Sequence, residues 1–164
     1  MNSKTMPEGD SYDGWGIGGN RAPFMEVLGA RPTRKEKGDV AFELVVEEKH
    51  LRTLGIVHGG VTAAMLDTAL GFAAGTTAPP GHHVVTVQLS LNYIRPAWLG
   101  EKLIATGEVR HAGKMTAVAR GELRTSEGAL VGSGTGTFMY LPLPADPGAS
   151  IPKQPETERF PTQP

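Results

Sequence analysis

The sequence has no cysteine. That excludes disulfides and thiolate metal sites, and it leaves the redox compartment undecided. It has no charge excess either, with 16 Lys and Arg against 17 Asp and Glu. A net charge of −1 offers no electrostatic case for binding nucleic acid. No apolar run is long enough to span a membrane. Residues 1–20 lack the basic-then-apolar plan of a secretory signal, so the expected location is cytoplasmic.

What is present is glycine, at 22, and proline, at 13. Much of both lies at the ends. Residues 1–20 read as a flexible segment, and residues 143–164 as a Pro-rich, disordered tail. Between them, residues 21–142 are long enough for one domain with a real core.

Within that domain the hydrophobic period changes. Residues 22–28, APFMEVL, suit a short helix closed by Gly29. Residues 39–46 alternate, with Val40, Phe42, Leu44 and Val46 on one face, as in a strand. After the loop KHLRTLGIV, residues 58–75 take the helical period. Val85, Val87, Leu89, Leu91 and Tyr93 then alternate with polar residues up to Arg95-Pro96. Leu103, Ala105, Gly107 and Val109 mark the next strand, and residues 111–114 the turn after it. Residues 115–125 and 129–140 complete the set, joined by Ser126-Glu127-Gly128. The short turns predict an antiparallel meander. One strand, one long helix and four further strands predict an α+β domain, a helix lying on a curved antiparallel sheet. Gly132, Gly134 and Gly136 sit inside the last strand. There they predict close packing or curvature, since a phosphate-binding glycine loop would open a helix.

The long helix begins HGGVTAAMLD, residues 58–67. At 100 degrees per residue, Gly60, Ala63, Ala64, Asp67, Thr68, Gly71, Ala74 and Gly75 share one face. Val61, Met65, Leu66, Leu70 and Phe72 share the other, which suits packing on the sheet. Asp67 is the one ionisable group on the small face. A lone helix Asp usually faces water, but small residues on a solvated face would cover nothing. Gly59 and Gly60 expose the first helix amides, which lack internal partners and carry partial positive charge. Such amides suit an anion, or an oxygen that becomes anionic during reaction. The plain alternative is that these glycines only permit a tight entry into the helix. His58, just before them, suits loop orientation through its ring nitrogens better than general base work. His82 and His83 point to opposite faces of a strand, and no second ligand set accompanies them, so no metal is expected.

The segment HLRTLGIVHGGVTAAMLDTALG resembles the helix signature of hotdog-fold acyl-CoA thioesterases of the PaaI-like branch. The resemblance runs on through VVTVQLSLNYIRPAWLGEKLIATGEV and covers roughly residues 22–140. It implies hydrolysis of coenzyme A thioesters with aromatic or medium-chain acyl groups, without a separate cofactor. By this resemblance Asp67 is the general base or nucleophile. Gly59 and Gly60 polarise the thioester carbonyl, Thr86 positions the attacking water, and His58 is the signature histidine. Arg52 stands where the family often has Asn, which puts the substrate in question. Coenzyme A carries phosphates, so Arg95, Arg110, His111 and Lys114, at strand ends or turns, are candidates for its entry. A non-catalytic acyl-CoA-binding protein on the same fold is the alternative.

One helix cannot complete such a site. Gly59 and Asp67 are eight residues apart, about 12 Å along the axis, and reacting atoms must lie about 3 Å apart. A second copy, its helix antiparallel to the first, would bring its Asp67 to the first chain's Gly59. The expected partner is therefore a second copy in a homodimer with shared active sites, as the resemblance also implies. Pairing of dimers into tetramers is left open.

Overall fold

The structure, a computed structural model, describes residues 23–143. The segment 1–20, and all of the expected tail beyond Leu143, lie outside the described residues. The elements are α1 (Pro23–Leu28), β1 (Arg31–Glu36), β2 (Asp39–Val45), α2 (Gly59–Gly75), β3 (His82–Tyr93), β4 (Lys102–Ala112), β5 (Thr116–Thr125) and β6 (Leu130–Pro142). Two 3-10 turns, Glu48–His50 and Thr53–Gly55, lie between β2 and α2. All strand pairs are antiparallel, in the order β1-β2-β4-β5-β6-β3. The single long helix packs on this sheet, the hotdog layout that the resemblance implies.

The helix packs through the large face read from its period. Met65, Leu66 and Leu70 of that face are fully buried, with Ala69 and Ala73 at its margins, against Phe42, Leu103, Leu123 and Phe138 of the sheet, while Phe72 stays half-buried. Ala63, Ala64, Asp67 and Gly71 of the small face remain half-buried. Two members of that face do not stay open. Ala74 is fully buried, and the Thr68 hydroxyl donates to Met25 Sδ of α1 at 3.0 Å.

Helix and sheet approach closely at glycines. A Cβ on Gly107 would run into the Ala69 carbonyl and stand 2.9 Å from the Leu70 nitrogen. Gly132, Gly134 and Gly136 occupy the helix-facing side of β6, where Cβ atoms would meet Thr62, Leu91 and Phe138 at 3.0 Å or less. Close packing is thus the outcome for these glycines. Gly107→Ala is expected to cost about 3 kcal/mol, the upper end for overpacking, because helix backbone cannot step aside. The melting temperature should fall by roughly 10 °C. An unchanged melting curve would show that the helix can shift away without penalty.

Three expectations need correction. First, a strand was missed. β1 reads RPTRKE, with five of its six residues exposed, so neither face carries an apolar pattern. It is an edge strand held to β2 by backbone bonds, with the charges and proline that such edges favour. Second, β4, β5 and β6 form a meander, but β3 pairs with β6 and not with β4. The connecting residues 94–101 cross the helix start. There Val57 N–H donates to Ala97 O at 2.9 Å, and Gly100 N–H to Val46 O at 3.0 Å. A connection of that length need not be a hairpin once the sheet curls around a helix. Third, His111 and Ala112 belong to β4, and the turn lies at 113–115. The alternation in β3 also breaks at Val87, where a bulge separates Thr86 from Gln88. Among the described residues no helix is long and apolar enough to cross a membrane.

Candidate active site

His58 opens α2 as its N-cap, with extended backbone angles (φ −64, ψ 136). Its Nδ1 accepts from Gly60 N–H at 2.9 Å, and its carbonyl accepts from Val61 N–H at 2.9 Å. Nδ1 must therefore be unprotonated in this arrangement. Gly60 leaves room for the ring, since a Cβ there would stand 2.9 Å from His58 Nδ1. The Gly60 amide, expected to face a ligand together with Gly59, is thus engaged by the cap. The Gly59 amide has no acceptor among the described residues. It is the first amide of a 17-residue helix, where the macrodipole is concentrated.

The entry to that helix is held from below by His50, which sequence reasoning passed over. His50 is 2 % exposed. Its Nδ1 accepts from Glu47 N–H at 2.8 Å, so Nε2 carries the proton and donates to Leu28 O at 2.7 Å. Its carbonyl accepts from His58 N–H at 2.8 Å. One buried residue thus ties α1 and the loop through its ring and the cap through its carbonyl. No periodicity marks such a residue in the sequence, because its partners are backbone groups of a loop.

Two turns along α2, Asp67 is half-buried on the small face and accepts from the Thr86 hydroxyl at 2.9 Å. The residues come from different elements, 19 positions apart. Asp67 and Gly59 lie on the same unbroken helix, so within one chain they stay about 12 Å apart along the axis.

The basic candidates separate. Arg95 lies beside Gly59, lining the same cavity of about 260 Å³. Its Nη2 is paired with Glu101 at 2.9 Å and its Nε donates to Pro96 O at 3.1 Å, so it braces the crossing loop. Arg110 pairs with Glu108 at 2.9 Å. The hydrogen bond from Arg120, and then that from Arg110, hold the Glu108 carboxyl below the usual carboxylate range. Arg110, His111 and Lys114 follow Val109, which bonds to Gly38 and sits near Thr77, just past the end of α2. Within one chain they are therefore at the opposite end of the helix from Gly59. Arg52 is exposed in the loop before α2, with its backbone N–H on Ile56 O at 2.8 Å.

Tyr93 was read only as a strand residue, yet its ring lies against the helix start. A Cβ on Gly59 would stand 3.4 Å from Tyr93 Cε1. The visible signal is a large aromatic ring at the end of a strand, next to Arg95-Pro96.

Comparison with known proteins gives this geometry its context. Residues 54–131, which run from the loop before α2 into β6, match the thioesterase superfamily. The medium/long-chain acyl-CoA thioesterase YigI of Escherichia coli is 32% identical over 132 residues, covering 71% of this chain and 84% of YigI. Human acyl-coenzyme A thioesterase 13 is 35% identical over 103 residues, covering 61% of this chain and 71% of the human protein. In structure, the Escherichia coli PaaI protein from the phenylacetic acid degradation operon superposes with a TM-score of 0.68. That match has 25% identity and covers 73% of this chain and 84% of PaaI. Sequence and fold agree over the same core, and the chain belongs to the thioesterase superfamily, in its hotdog-fold, PaaI-like branch, as an acyl-CoA thioester hydrolase.

Proposed function

We propose that the enzyme hydrolyses aromatic or medium-chain acyl-CoA thioesters in sites shared between two subunits. The observation that carries this reading is one helix with an open Gly59 amide at its head and an Asp67–Thr86 pair two turns along it. In this reading the carbonyl oxygen rests on the Gly59 amide, and Asp67 of the partner subunit faces the carbonyl carbon. As attack proceeds, negative charge grows on the oxygen, and the amide and helix dipole stabilise it. His58 keeps its expected orienting role by holding the helix start in shape. The Thr86 hydroxyl fixes the carboxylate that serves the attacking water.

Two routes fit this arrangement. In one, Asp67 removes a proton from water, the hydroxide adds to the carbonyl, and the carbon–sulfur bond breaks. In the other, the Asp67 carboxylate attacks directly, thiolate leaves, and water hydrolyses the resulting anhydride. Either way one water is consumed, and a carboxylic acid and a thiol are released. Thiolate is a good leaving group, so no strong general acid is required. The coenzyme A moiety travels with the substrate, and the reaction needs no other cofactor. An antiparallel partner helix turns the far end of the partner chain toward Gly59. This arrangement gives Arg110, His111 and Lys114 a route to the coenzyme A phosphates.

The test is a panel of acyl-CoA thioesters assayed with a thiol reagent. Phenylacetyl-CoA and octanoyl-CoA are expected to turn over faster than acetyl-CoA. Arg52→Asn is expected to keep the melting temperature and to lower the relative rate on carboxylate-bearing acyl groups. The expected change is roughly tenfold, the worth of one hydrogen bond to a charged group. No thiol release from any thioester would overturn the function. Unchanged relative rates would make Arg52 a structural residue.

A further inference from the structure

We infer that Tyr93 determines which acyl groups are accepted, as the wall of an apolar acyl cleft beside Gly59. The inference rests on the reading of Gly59 as the carbonyl-oxygen site. A cavity of about 260 Å³ opens there, bounded by Gly59, Thr62, Tyr93, Ile94, Val131 and the crossing loop. Sites that enclose a whole small molecule measure about 300–1,000 Å³, so this cleft holds only the part of an acyl-CoA next to its carbonyl.

Two groups leave a thioester carbonyl, the acyl carbon and the sulfur. Beyond the sulfur comes the pantetheine arm with its amides, and each amide buried without a partner costs about 1–3 kcal/mol. The cleft offers Ile56, Val57, Ile94, Ala97 and Val131, all hydrocarbon, against two hydroxyls, those of Thr62 and Tyr93. Its charged member, Arg95, is already engaged by Glu101 and the Pro96 carbonyl. The lining therefore matches a neutral, apolar acyl group, and the pantetheine arm lies outside it.

Tyr93 is 59% exposed, yet its ring lies where a Cβ on Gly59 would meet it at 3.4 Å. It stands where the acyl group departs from the carbonyl, so its bulk limits how wide that group can be next to the carbonyl.

The experiment compares kcat/KM for octanoyl-CoA and benzoyl-CoA, whose ring sits directly on the carbonyl, in wild type, Tyr93→Ala, Tyr93→Phe and Tyr93→Trp. The ratio of two substrates cancels any loss of folded enzyme. Tyr93→Ala is expected to move the ratio toward benzoyl-CoA by on the order of tenfold. Tyr93→Trp should move it the other way, and Tyr93→Phe should leave it unchanged. If Tyr93→Ala yields no folded protein, Tyr93→Leu carries the same expectation as the smaller side chain. A ratio that stays flat across the series, with Asp67→Asn inactive, overturns the cleft and leaves the site reading intact. A shifted ratio with Asp67→Asn fully active overturns the site reading and leaves the cleft.

Discussion

Asp67→Asn is expected to fold normally and to lose on the order of a hundredfold or more in turnover. The substitution is nearly isosteric. The side chain sits half-buried among Ala63, Ala64 and Gly71, with no steric demand that Asn fails to meet. The Thr86 hydroxyl, now 2.9 Å from Asp67 Oδ1, can donate equally to an amide oxygen. What disappears is the negative charge, and with it both the proton acceptor and the nucleophile. Both hydrolytic routes therefore fail together. Melting temperature and steady-state kcat should be measured on the same preparation. Near-native turnover in a folded variant would remove Asp67 from the chemistry.

The second large effect concerns where each half of the site comes from. Gly59→Pro removes the amide hydrogen but suits the first helical position, where proline's fixed φ is well matched. The helix should survive and the carbonyl should lose its donor. That variant and Asp67→Asn should each be inactive alone. After subunit exchange, the mixed dimer pairs Gly59 of one chain with Asp67 of the other, giving one intact site and one doubly damaged one. Random exchange makes half the dimers mixed, so about a quarter of wild-type activity should return. If each chain held a complete site, mixing would restore nothing, since neither chain has both groups. Demonstrated heterodimers that stay inactive would overturn the shared site, as would a fully active stable monomer.

Most elements that showed in the sequence have one buried face, whereas β3 showed by its alternation although none of its residues is buried. In β2, Val40, Phe42 and Leu44 alternate with more exposed neighbours because the helix covers one side only, although Ala41 is buried as well. In β4, Leu103, Ala105 and Gly107 do the same. The α2 period was legible for the same reason. β1 was not, because its residues face solvent and its place depends on backbone bonds to β2, which leave no side-chain pattern.

By itself, the sequence determined the α+β class, the helix with its small face, and the signature that marks the thioesterase family. It also placed Gly59 and Asp67 about 12 Å apart along one helix, because helical rise depends only on residue count. Only the tertiary structure decided that β3 lies beside β6, since strand partners follow from how the whole sheet curls around α2. It alone decided that the His58 ring takes the Gly60 amide and leaves Gly59 open, because that depends on where one side chain turns. The contact of Tyr93 with the helix start and the distance of Arg110, His111 and Lys114 from it were settled the same way. These last juxtapositions join residues tens of positions apart, and a linear pattern holds no record of which of them will meet.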